Sequence, residues 1–143
     1  MSLEDLLKTG SVRRIKPNRQ VIEKALAKAH KDLKVSETLI ELGEYDWAYT
    51  TSYTAMLTAA RGLMNYMGYR PSSSDGHVAV VRFLDSMEME KDIRKFAGII
   101  DRMRRTRHRV MYDEYDIITE KAANQAYEWA IRFVSITKIT VKE

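Results

Sequence analysis

Hydrophobic residues recur along most of this chain at the three- and four-residue spacing of an amphipathic helix, and polar or turn-forming residues break the pattern at only a few places. Ile22, Ala25, Leu26, Ala29, Leu33, Leu39, Ile40 and Leu42 keep that spacing. Asn18 is placed to cap the start of this first long helix and Gly43 to stop it. A second long helix is predicted from about Asp46 to Met67, ended by Gly68. It is crowded with large side chains, among them Trp47, Tyr49, Tyr53, Met56, Leu57, Leu63 and Met64. A helix that is apolar on more than one side is central to a bundle or shared between a core and a partner subunit. Tyr45, Tyr49 and Tyr53 repeat every four residues and form one stripe, suited to a core or a dimer contact.

The shorter segments follow the same logic. Ser2 caps a short helix through Leu7, Gly10 ends it, and Ser11 to Pro17 reads as a basic connector. Tyr69 to Gly76 is dense in turn residues and reads as a loop, with Asp75 placed to cap a third helix from Gly76 to about Ser86. A fourth helix is predicted from about Glu90 to Met111. Tyr112 to Ile118 then lacks helical period, and Thr119 caps a last helix with a narrow stripe of Ala122, Ala126, Ala130, Phe133 and Val134. Two prolines and six glycines leave few other turning points, so the fold class is all-α. A single domain is expected over residues 1–143, with 1–17 as a short helix and connector and 18–138 as the helical bundle.

Composition narrows the chemistry. There is no cysteine, which removes disulfides, thiolate metal sites and cysteine nucleophiles. His30, His77 and His108 are far apart in sequence, with no paired spacing on one helix, so neither a metal nor a cofactor is expected. No apolar run approaches the roughly 18 residues of a membrane span, and the start MSLEDLLKTG is acidic and amphipathic. A cytoplasmic location and no membrane partner are therefore expected.

Formal charge is only +4, from 24 Lys and Arg against 20 Asp and Glu. It matters because it is concentrated. Asp101 to Asp113, DRMRRTRHRVMYD, holds Arg102, Arg104, Arg105, Arg107, His108 and Arg109, and a smaller basic knot comprises Arg13, Arg14, Lys16 and Arg19. A guanidinium offers a planar fork of donors that matches phosphate oxygens, so such a cluster suits a polyanion. At about 100° per residue, Phe96, Ile99, Ile100, Met103, Val110 and Met111 gather on one side of this helix. Arg102, Arg105, Arg109 and Tyr112 fall on a flank, with Arg104 and His108 nearly opposite the apolar stripe. Arg107 falls inside the stripe, where an unpaired charge is costly. It is expected to have a carboxylate or carbonyl partner, for which Asp113, Glu114 and Asp116 are candidates, or to sit at a subunit interface.

Three pieces combine into a resemblance: the helix AYTTSYTAMLTAARGLMNYMGYRP, the Gly76–His77 pair that closes the following loop, and the later RMRRTRHRVMYDEYD. From about Arg19 to Lys138 the chain resembles a HEPN domain, in particular the small stand-alone prokaryotic HEPN proteins. The resemblance implies an antiparallel four-helix up-and-down bundle with short additional helices, commonly a homodimer. It also implies a possible partner protein, since many relatives are encoded beside a small nucleotidyltransferase with which they form a toxin and antitoxin pair.

Catalytic HEPN proteins resemble one another in an Arg followed, after four to six residues, by a His used for metal-independent RNA cleavage at the dimer interface. The pairing makes chemical sense, because an imidazole can move the 2′-hydroxyl proton while a guanidinium steadies charge on phosphate. Two registers fit parts of this pattern. Arg102 and His108 satisfy the spacing, but Met103 stands where a small polar residue usually follows the Arg. Arg107, followed by polar His108, gives the other register, in which Tyr112 occupies the place of the His. A tyrosine, with an ordinary pKa of about 10, is a poor general base.

The second register also accounts for an Arg within the apolar stripe and is preferred, which implies a binding HEPN protein more than an efficient ribonuclease. On this reading RNA or a nucleotide meets Arg104, Arg105 and Arg109. An active endoribonuclease would use His108 as acid or base, Arg102 and Arg107 on phosphate and Tyr112 as a positioning hydroxyl. A non-catalytic helical interaction module is the remaining alternative.

Overall fold

In the computed structural model, which describes residues 1–72 and 76–142, helices account for nearly all regular structure. In chain order the elements are α1 (Leu3–Lys8), β1 (Val12–Arg14), α2 (Arg19–Glu41), α3 (Tyr45–Met67), β2 (Tyr69–Pro71), α4 (Gly76–Asp85), α5 (Lys91–Arg94), α6 (Phe96–Tyr112) and α7 (Glu120–Lys142). The protein is an all-α bundle in which α3 packs against α2, α6 and α7, and α4 lies against α6.

Local chemistry sets the ends of these helices. At α1 the Ser2 hydroxyl accepts the Asp5 amide at 3.2 Å while the Asp5 carboxylate accepts the Ser2 amide at 3.1 Å, which is a capping box. The Asn18 side chain accepts the amides of Gln20 and Val21 and starts α2. Gly68 adopts φ +92°, the left-handed conformation that ends α3 and that a side chain would strain. The Thr119 hydroxyl accepts the Ala122 amide at 3.0 Å, as the sequence predicts for the start of α7. The predicted Asp75 cap lies outside the described residues.

Burial explains the centrality of α3. Ala48, Ala55, Met56, Ala59, Ala60, Leu63 and Met64 are all fully enclosed. Gly62 lets α2 approach closely, since a Cβ there would stand 3.1 Å from that of Ala25. Of the predicted α7 stripe, Ala126, Ala130, Phe133 and Val134 are buried while Ala122 is half-buried and its neighbour Ala123 takes the core position, and Phe133 packs on Phe96 with ring centroids 5.2 Å apart. The tyrosine stripe goes mostly to the core. Tyr49 and Tyr53 are buried, whereas Tyr45 is half-buried and its hydroxyl donates to Glu120. Among the described residues no helix is long and apolar enough to cross a membrane.

Two expectations need correction. The supposed connector and loop form a small antiparallel ribbon, with Val12 opposite Pro71, Arg13 opposite Arg70 and Arg14 opposite Tyr69. The Ile15 amide donates to the Gly68 carbonyl at 2.8 Å and the Ser72 amide to that of Ser11 at 3.0 Å, which extends the pairing at both ends. Burial of Val12 gives the ribbon its hold on the core. The expected helix from Glu90 to Met111 is two helices, α5 and α6, separated at Lys95, where Ile93 and Phe96 on either side are both buried.

Candidate nucleic-acid interface

The residues singled out by the basic stretch all lie on α6 or at its end. One face of this helix buries Phe96, Ile100, Met103 and Val110, as the periodicity requires. The opposite side carries Arg102, Arg105, His108, Arg109 and Tyr112, all exposed. Arg102 lies over the Trp129 ring at 5.8 Å, a cation–π contact that anchors it against α7. The His108 and Tyr112 rings stand side by side one helical turn apart, with centroids at 4.8 Å.

Charge on this face is poorly balanced. Within α6, Asp101 is the one acid against Arg102, Arg104, Arg105, Arg107 and Arg109. Its carboxylate is divided between two of them. Arg104 donates to Oδ1 through Nε and Nη2 at 3.1 and 2.9 Å, and Arg105 Nη2 reaches Oδ2 at 2.7 Å. Arg109 meets Glu114 at 3.1 Å just beyond the helix. The Arg105 and Arg109 side chains are exposed, and surface pairs of this kind contribute roughly 0–1 kcal/mol each, so they orient these guanidinium groups without removing them from use.

Arg107 points inward, as its phase predicts, and is half-buried. Its expected acidic partners do not reach it. Among the described residues it has no carboxylate within ion-pair distance, Glu114 pairs with Arg109, and the Asp116 and Ile118 amides donate to Asp46. The Arg107 guanidinium instead lies over the ring of Tyr53 at 5.9 Å, and its Nε is buried without a hydrogen-bond partner. An aromatic face supplies attraction to a cation but no acceptor for its N–H groups.

Beneath this guanidinium lies a polar pair the sequence did not assemble. The Tyr53 hydroxyl is 2.9 Å from His77 Nδ1, with the two rings 5.7 Å apart. Burial pushes the Tyr53 phenol up to about 12, against the opposing effect of Arg107, Arg104 and Arg61. Burial also holds the His77 imidazole below its ordinary range, and the positive charges of Arg61, Arg107 and Arg104 push the same way. Both groups therefore favour their neutral forms, and a phenol that keeps its proton can donate it to Nδ1. The hints were present separately, in the tyrosine stripe and in the Gly76–His77 pair, but neither indicates that α4 brings His77 against α3 beside Arg107.

A cleft of about 410 Å³ adjoins the end of α6, lined by Tyr45, Asp46, Trp47, Val110, Met111 and Tyr115 among others. Asp46 of this lining fixes the segment after α6, accepting the amides of Asp116 at 2.7 Å and Ile118 at 3.1 Å.

Compared with known protein families, residues 22–140 match the model of the HEPN domain. No curated protein matches the chain.

Proposed function

The chain belongs to the HEPN domain family, and from that premise we propose that it binds RNA or a nucleotide through the arginine face of α6, at a groove formed where two copies meet. It acts as a cytoplasmic homodimer and as one half of a toxin–antitoxin-like pair with a nucleotidyltransferase. One observation carries this reading: Arg102, Arg105 and Arg109 stand exposed along one side of α6, while the sole acid of that helix is divided between Arg104 and Arg105. Forked cations that outnumber their counter-ions, Asp101 for Arg104 and Arg105 and Glu114 for Arg109, are suited to phosphate oxygens. Reversing charge with Arg105→Glu and Arg109→Glu should weaken single-stranded RNA binding at least tenfold, with only the small drop in melting temperature that two lost surface pairs cause. Unchanged affinity would remove the face from the account, leaving a helical interaction module.

The placement of His108 beside Tyr112 favours a second reading, metal-independent RNA cleavage. There His108 moves the 2′-hydroxyl proton, Arg102 and Arg107 contact phosphate, and Tyr112 positions the strand. His108→Ala should then abolish cleavage and leave binding intact. Equal cleavage by this variant would exclude His108 as the acid or base.

A further inference from the structure

The basic knot near the N-terminus finds its use in the ribbon. In the β1–β2 register Arg13 stands directly opposite Arg70, both exposed. Like charges facing each other across two strands repel and destabilise the pairing. Among the described residues neither has a carboxylate within ion-pair distance, and the same holds for Arg14 and Arg61. Arg14 is steadied by Tyr69, donating to its hydroxyl at 3.1 Å with its guanidinium 5.5 Å from the ring centre. Beside the ribbon runs a groove of about 500 Å³, walled by Ile15, Val21, Arg61, Tyr69 and Arg70. That volume lies in the range of ligand sites, and the lining combines guanidinium groups with apolar and aromatic walls.

Arg61 ties this groove to α6. Its Nη2 lies 3.3 Å from where a Cβ on Gly76 would stand, so glycine leaves the guanidinium its room. The next residue, His77, feels the charges of Arg61, Arg107 and Arg104, and its Nδ1 lies 2.9 Å from the hydroxyl of Tyr53, over whose ring Arg107 stands. Arg104 in turn shares Asp101 with Arg105. Arg61 of α3 and Arg104 and Arg107 of α6 thus all stand near the Tyr53–His77 pair, more cations than one phosphate could use. The groove has few free acceptors with which to read a base. Asn65 is its one side-chain amide, and its Oδ1 already accepts the Asn18 amide at 2.8 Å.

Resting on the RNA-binding reading of α6, we propose that this groove, through Arg61 and Arg70, carries the phosphates of a single-stranded polynucleotide whose other part lies on α6. Recognition there is of the backbone and tolerant of sequence. The test measures anisotropy of labelled single-stranded RNAs of about 6 and about 20 nucleotides, lengths that bracket a single site, across a salt series. The double variant Arg61→Gln with Arg70→Gln should bind the long RNA more weakly. Its plot of log affinity against log salt should be shallower by about 1.4, from two phosphates at about 0.7 each. Short-RNA binding should stay as in the wild type, and the melting temperature should not fall, since loss of the Arg70 charge relieves its repulsion with Arg13.

A long-RNA slope and affinity equal to wild type overturn the proposal, and if Arg105→Glu with Arg109→Glu still weakens binding, the α6 reading survives alone. Failure of the wild type to bind either RNA overturns both. If ATP raises the melting temperature of the wild type but not of the double variant, with no dependence on RNA length, the groove holds a free nucleotide and the strand path is wrong.

Discussion

If α6 holds RNA as proposed, the steepness with which salt weakens binding of a short RNA counts the arginines it commits to phosphate. Arg102, Arg105 and Arg109 are the exposed guanidinium groups on its outward face, and each phosphate neutralised on a single strand adds about −0.7 to the slope of log affinity against log salt. Three such contacts give a slope of about −2.1, so raising salt from about 50 to 200 mM should weaken binding about 20-fold. If two copies present this face to one strand, the contacts double, the slope becomes about −4.2 and the same change costs about 300-fold. Anisotropy of a fluorescein-labelled RNA over a potassium chloride series, with light scattering to fix the number of chains, separates these values. Arg105→Glu should flatten the plot. A slope near zero would refute the reasoning, because contacts built on apolar burial release few counter-ions.

Two further outcomes test the surroundings of the face. Because burial and then Arg61, Arg107 and Arg104 hold His77 below its ordinary range, an unfolded chain takes up this proton before the folded one does. The stability His77 supplies is therefore complete above about pH 6.5 and is lost as pH falls through the depressed folded value. Urea midpoints should drop more on acidification from about pH 7.5 to 5 in the wild type than in His77→Gln, and parallel curves would contradict the assignment. Asp46→Ala removes the acceptor of the Asp116 and Ile118 amides. Hydrogen exchange at those two amides should quicken while α2 and α7 keep their protection. Unchanged exchange would mean that other contacts fix the segment after α6.

Much of the framework was legible because several helix ends carry their own signals. Asn18, Gly43, Gly68 and Thr119 act where their side chains or backbone freedom say they should. The ribbon was not legible, since strands of three residues are too short to show an alternating pattern and their partners lie far apart in sequence. The separation of α5 from α6 was hidden as well. Lys95 is an ordinary helix former, and its backbone stays near helical values, φ −60° and ψ −22°. For the site, helical phase alone turned Arg107 inward. Its neighbour was misjudged because acids close in sequence were considered, whereas packing offered the ring of Tyr53 from α3. His77 and Arg61 escaped for the same reason: their significance depends on α4 lying across α3 and α6, which no local pattern encodes.

The divided carboxylate of Asp101 has a consequence for how any phosphate would arrive. Arg104 and Arg105 are already occupied in the free protein, so an incoming anion displaces a resident one from Arg105 instead of meeting a bare cation. Capture becomes a swap with modest net gain, which favours rapid exchange over tight retention. It also spares the unliganded molecule the self-repulsion of a crowded guanidinium row.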